Sequence, residues 1–276
     1  METWIIWAIV SAITSLYNFF KIITQRKYST YYSTLWSYSV ASFIAFIFLL
    51  FDGFSGFKNI NIFLLLSLAF GNILFFYLSV LTRIKSMENI DNVIFYPLYK
   101  TFPILVTLIS IFYFKESLDF YESLIVLGIC IPLLLISRAE SKLQKNLFLI
   151  MFMLLTALVA VAPIFVKLAN NQFDTMTYVF ISFVIGIFFS YLFVYEKKTN
   201  KISNQEVGKF AIIIVLHFMT FYSYTKAFEG NIAIAFTINS FAILIPIILS
   251  IIFYGEHFNF KKVVIVLSIV SILLFL

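Results

Sequence analysis

The chain alternates long apolar runs with short polar connectors. Apolar runs lie near 4–23, 31–51, 61–82, 92–114 and 119–137, and a second set lies near 146–168, 175–195, 208–227, 232–254 and 259–276. Crossing the hydrocarbon core of a bilayer takes about 20 apolar residues in a helix that satisfies its own backbone. The pattern therefore predicts an all-α integral membrane protein of ten transmembrane helices. Connectors such as 52–59 and 229–231 leave no room for a soluble domain.

A repeat organises these runs. Shifting the chain by 140 residues lays 110–136 on 250–276 without a gap, so that Ser110, Glu116, Phe120 and Leu127 meet Ser250, Glu256, Phe260 and Leu267. Apolar matches are common in so hydrophobic a chain, but a Glu-x-x-x-Phe match in a connector is informative. A shift of 146 aligns Lys21 with Lys167, each near the end of the first span of its half. Each half, 1–140 and 141–276, then holds five spans. An odd number turns the second half over and gives two inverted five-helix repeats, a plan common among secondary transporters.

Composition sharpens this picture. Of 276 residues, 62% are hydrophobic and 12% charged, and Phe alone contributes 36. A soluble domain carries about 25% charged residues, so this surface is matched to lipid. The single cysteine, Cys130, can form no internal disulfide and belongs to no metal-binding cluster, and no metal or cofactor is expected. The first run opens on Glu2 and reaches its first lysine only at Lys21, which reads as a span rather than a cleaved leader.

The net charge of +6 points to topology rather than to nucleic acid. With the 23–31 connector placed inside, fourteen Lys and Arg residues fall on the inner side. Only Lys58, Lys115, Lys167 and Lys226 fall on the other. That bias places both termini outside a multi-pass protein of the cell membrane.

The segments Phe102-Pro103 to Glu116-Ser117 and Ile245-Pro246 to Gly255-Glu256 each join a proline-bearing span to a connector glutamate and a further apolar span. In this the chain resembles the drug/metabolite transporter superfamily, specifically its ten-span EamA-like members. The first copy has Lys115-Glu116 where the family usually has Gly-Glu. The resemblance implies a single-chain carrier, a monomer or weak dimer, with a central cavity between its halves. Such carriers move amino acids, nucleotide sugars, cationic compounds or other small metabolites. Many members are drawn with cytoplasmic termini, and the charge bias here argues the reverse.

Lys100 is the most informative polar residue. It lies within the fourth span between Pro97 and Pro103, and Tyr96, Lys100, Pro103 and Thr107 share one helical face. A lysine near a span centre costs about 2.5–3.5 kcal/mol to insert, so such a group faces a cavity or a partner. The competing reading is a side chain snorkelling to the nearer headgroups. His217, on the eighth span, could couple a proton to transport because histidine titrates near neutrality unaided. It could equally be a neutral, hydrogen-bonded interface residue.

On the ninth span Asn239, Ile243, Pro246 and Ser250 share a face, and the 140-residue shift pairs Tyr99 with Asn239 and Lys100 with Ser240. The two halves thus place polar groups at matching depth, as a midplane site requires. Tyr77, Tyr96, Tyr99 and Trp36 could wall a cavity or serve as interface and packing residues. Asn18 and Asn72 could line it or hold helices together. Glu116 and Glu256 read as helix-start acids that suit the helix dipole. No carboxylate lies between Trp4 and Ile23. Proton coupling, if present, falls to His217 or to a helix-end acid such as Glu88, Asp91 or Glu229.

Other classes fit less well. Gly53-Phe54-Ser55-Gly56 matches an intramembrane serine-protease pattern, but Ser55 lies in a connector and the histidine base it needs lies deep in another span. Nothing resembles an ion filter or a phosphate-binding loop, and lipid movement along a groove is the remaining non-carrier alternative. The sequence therefore predicts no enzyme. It predicts a secondary transporter of a small metabolite working by alternating access, with protons as a candidate coupling ion. Amino acids or organic anions moving outward are favoured over cationic drugs or nucleotide sugars. The expected site is Lys100, Tyr96, Tyr99, Tyr77, His217, Asn239 and Ser240.

Overall fold

The computed structural model describes residues 2–15, 30–58, 60–87, 103–120, 123–124, 161–194 and 204–240. The regular elements it describes there are all helical. They are α1 (Thr3–Thr14), α2 (Thr30–Phe51), a 3-10 turn (Ser55–Phe57), α3 (Ile62–Met87) and α4 (Pro103–Ile109), which continues as a π-helical turn over Ser110–Phe114. Then come α5 (Ala162–Asn170), α6 (Thr175–Val194), α7 (Asn204–Ala227) and α8 (Ile232–Ser240). Within these, 34–51 and 175–192 are each long and apolar enough to cross a bilayer alone, and 3–14, 62–78 and 211–227 are shorter apolar stretches. The ten-span count itself rests on the hydropathy pattern.

Helix ends follow the predicted runs closely where both are described. The fourth span ends at Phe114, the seventh begins at Thr175, the eighth ends at Ala227 and the ninth begins at Ile232. Two helices outlast their apolar runs. α3 continues through Arg83 and Lys85 to Met87, and α7 starts early at Asn204-Gln205-Glu206. Charged residues end an apolar run, but outside the hydrocarbon they are good helix formers, so the backbone carries on into water.

The helices fall into two compact units that cut across the repeats. One comprises 1–74 and 164–229, the other 75–163 and 230–276. In the first unit α2 packs along α6, α1 along α7, and α7 also meets α2 and α6. Small residues allow the close approach that helix pairs need in lipid. Ala41 and Ala45 of α2 are fully buried, and a Cβ added at Gly186 of α6 would stand 2.5 Å from the Tyr38 ring. Gly71 of α3 is pressed as closely, with the Phe165 ring 2.6 Å from such a Cβ. An aromatic series joins three helices: Phe48 stacks on Phe218 at 5.9 Å, Phe218 on Tyr222 at 6.1 Å, and Trp7 meets Tyr222 edge-on at 5.5 Å. The outward faces carry Phe43, Phe51, Phe63 and Phe188, all exposed, as lipid contact requires. In the second unit α4 packs against α8.

One end of the first unit gathers three connectors. The Glu229 carboxylate pairs with Lys226 at 2.6 Å and accepts the Thr175 hydroxyl at 3.1 Å, while its backbone carbonyl accepts Lys167 at 3.3 Å. Asn170 donates to the Thr225 carbonyl at 2.6 Å. Gly56, in the connector after α2, sits so close to Thr177 that an added Cβ would lie 2.1 Å from its hydroxyl. The connectors after α2, α5 and α7 therefore share one end of this unit.

Candidate substrate site

The expected site residues are distributed between the units. Tyr77, on α3, and Asn239, on α8, belong to the second, and His217, on α7, to the first. Tyr77 is buried and Asn239 half-buried. Lys100, Tyr96 and Tyr99 lie outside the described residues, as do Asn18, Glu88, Asp91 and Glu256. Ser240 is the last described residue of α8, and its side chain is likewise outside them.

His217 is buried in an aromatic setting. Its ring stands edge-on to Tyr38 at 5.3 Å and tilted to Phe183 at 5.6 Å. Trp36 is exposed. Asn72 is buried on α3 beside the Tyr178 hydroxyl, which also neighbours Ser182. Ser55 lies in an exposed turn after Gly53 and Phe54, both in the left-handed region. Its hydroxyl donates to the Asp52 carboxylate.

A different pair of residues marks the second unit. Hydroxyls within helices commonly bond back to a carbonyl one turn earlier. Thr14, Ser39, Ser67, Thr220 and Thr225 do so here, at 2.7–2.8 Å. Thr107 on α4 and Thr237 on α8 do not. Their side-chain oxygens are buried without a hydrogen-bond partner among the described residues, in residues only 8% and 0% exposed. A buried hydroxyl left unpaired costs about 1–3 kcal/mol, so two such groups on a pair of packed helices suit a site that takes a polar ligand. Thr107 shares the Lys100 face. Thr237 was not predicted, since nothing in the sequence separates a threonine that bonds to its own helix from one that does not.

Glu116, read as a helix-start acid, meets the start of α8. Its carboxylate accepts the backbone N–H of Ile232, the first residue of α8, at 3.0 Å, together with the Ser110 hydroxyl. Lys115 before it is left-handed, at φ 56°. Glu229, considered as a coupling acid, is held by Lys226 and Thr175 as described above.

Comparison with known proteins adds one positive finding. A family model described as the EamA-like transporter family matches the chain twice, over 2–138 and 146–276. A search of curated proteins gives no match.

Proposed function

We propose, from the premise that the chain belongs to the EamA-like transporter family, that it exports a small metabolite by alternating access, favouring an amino acid or organic anion. A membrane transporter of this type needs polar groups at depth in an apolar body. The observation that carries the reading is the packed pair α4 and α8. These are spans four and nine of the chain, and each offers a buried hydroxyl, Thr107 and Thr237, without a hydrogen-bond partner among the described residues. Lys100 shares a helical face with Thr107 by sequence spacing. Its charge in a low-dielectric site attracts a carboxylate or phosphate, which favours anionic substrates over permanent cations. Tyr96, Tyr99, Tyr77, Asn239 and Ser240 supply further hydrogen-bonding groups along the same two spans and α3, and His217 is the candidate for proton coupling.

A thermal-shift screen of the purified protein against amino acids, organic acids and nucleotide sugars names the ligand class, since stabilisation grows with ligand concentration over Kd. Uptake of the best anionic hit into proteoliposomes is then compared for wild type and Lys100→Ala. A large loss is expected, and undiminished uptake by the variant would remove the anion reading. Orientation belongs to the same proposal: with termini outside, a cysteine at position 58 in a Cys130→Ser background reacts with an impermeant maleimide on intact cells. Labelling only after lysis would reverse it.

A further inference from the structure

The Glu-x-x-x-Phe segment is the most specific piece of the internal repeat, yet transport as proposed gives Glu116 no task. Its surroundings supply one. The first N–H groups of any helix have no partner inside it. At the start of α8, Asn231 answers one of them, its side-chain oxygen accepting Ile234 N–H at 3.3 Å, while its carbonyl accepts the first bond of the helix ladder from Ala235 N–H at 3.0 Å. The N–H of Ile232 is answered from the other repeat, by Glu116. The π-helical turn Ser110–Phe114 and the left-handed Lys115 fold the chain back so that Glu116 N–H reaches the Ser110 carbonyl at 3.3 Å. The Ser110 hydroxyl then holds the carboxylate in place. A negative group at this end also suits the positive pole of the α8 dipole.

We propose that Glu116 is a positioning residue: it caps the ninth span from the opposite repeat and sets the rotation at which α8 presents Thr237 and Asn239. At 1.5 Å and 100° per residue, Asn239 lies about 10 Å along α8 from Ile232 and nearly on the same face. A twist at the cap is therefore delivered to Asn239 almost undiminished. The role assigned to Asn239 rests on the transporter reading; the cap itself does not.

Hydrogen–deuterium exchange of the detergent-purified full chain tests the cap, followed on peptides covering 230–237. Glu116→Ala is expected to speed exchange there about tenfold, while peptides covering 204–227 stay unchanged. Glu116→Gln, which keeps an acceptor oxygen, is expected to restore slow exchange. Ser110→Ala, which frees the carboxylate without removing it, gives an intermediate rate and decides the matter if Glu116→Ala does not fold. Unchanged exchange at 230–237 in the folded variants overturns the cap. So does equal acceleration across 204–227, which would mean general loosening.

Uptake of a radiolabelled amino-acid mixture into proteoliposomes tests the consequence. It is expected to fall in Glu116→Ala and return in Glu116→Gln. Loss in Glu116→Ala without return in Glu116→Gln overturns the positioning role. Absence of uptake by wild type removes the amino-acid reading and leaves the exchange result standing.

Discussion

Glu116 and Ile232 stand 116 positions apart in the chain and 3.0 Å apart in space, carboxylate oxygen to backbone nitrogen. The contact gives the glutamate of the first repeat a partner in the second. It also accounts for the residue before it. A chain that must leave its helix and turn back within one residue needs a left-handed conformation there, and glycine adopts it without steric penalty. The second copy has Gly255 at the matching position; the first has Lys115, at φ 56°.

Lys115→Gly is therefore expected to stabilise the protein. A non-glycine residue in the left-handed region costs about 1–2 kcal/mol, partly offset by the greater freedom of glycine in the unfolded chain. Thermal unfolding in detergent should show a Tm higher by about 2–4 °C. A lower Tm would mean that the lysine side chain contributes more than its backbone costs.

Gly186→Ala is expected to destabilise by about 1–3 kcal/mol through overpacking. The new methyl would meet the Tyr38 ring, and that ring has little room to move because it also contacts Phe183 and His217. An unaltered Tm would show that α2 and α6 can part at no cost.

The two partners of the 226–229 ion pair should differ in worth. Lys226→Met removes one half-exposed charge and is expected to cost no more than about 1 kcal/mol. Glu229→Ala removes the acceptor of Thr175 as well and should lower Tm further. Equal Tm values for the two variants would reduce Glu229 to a surface ion-pair partner.

For His217 the decisive measurement is the pH profile. If it carries the coupling proton, wild-type uptake varies between about pH 5.5 and 7.5 and His217→Gln flattens that variation. A variant that keeps the wild-type profile assigns His217 to packing between Tyr38 and Phe183 alone.

Hydropathy made the end of α2, the start of α6 and the end of α7 legible, because leaving the hydrocarbon changes the residues the chain can use. It stopped short at residue 82, where α3 runs on to Met87, since a helix in water no longer needs apolar side chains. The repeat pointed to Glu116 and to a helix start, but not to which helix; a contact between residues 116 positions apart leaves no periodic trace. The same holds for packing. Ala41, Ala45 and Gly186 are small residues like many others until α2 is seen against α6. Thr107 was found through the face it shares with Lys100, whereas Thr237 had no charged neighbour to draw attention to it.

The division into units has a consequence for biogenesis. Residues 1–74 belong with 164–229, so α1 and α2 enter the bilayer long before α6 and α7 exist to cover them. At about 5–20 residues per second, the roughly 150 residues between 74 and 229 take on the order of ten seconds to synthesise. During that interval Tyr38 and Asn72 lack Phe183 and Tyr178 of α6, which they meet in the finished protein, and the first repeat has no finished body of its own. Assembly is then a late event, sealed when Glu229 arrives to join Lys226 and Thr175. A chain cut between the repeats would yield two fragments that each lack the partners of their own helices.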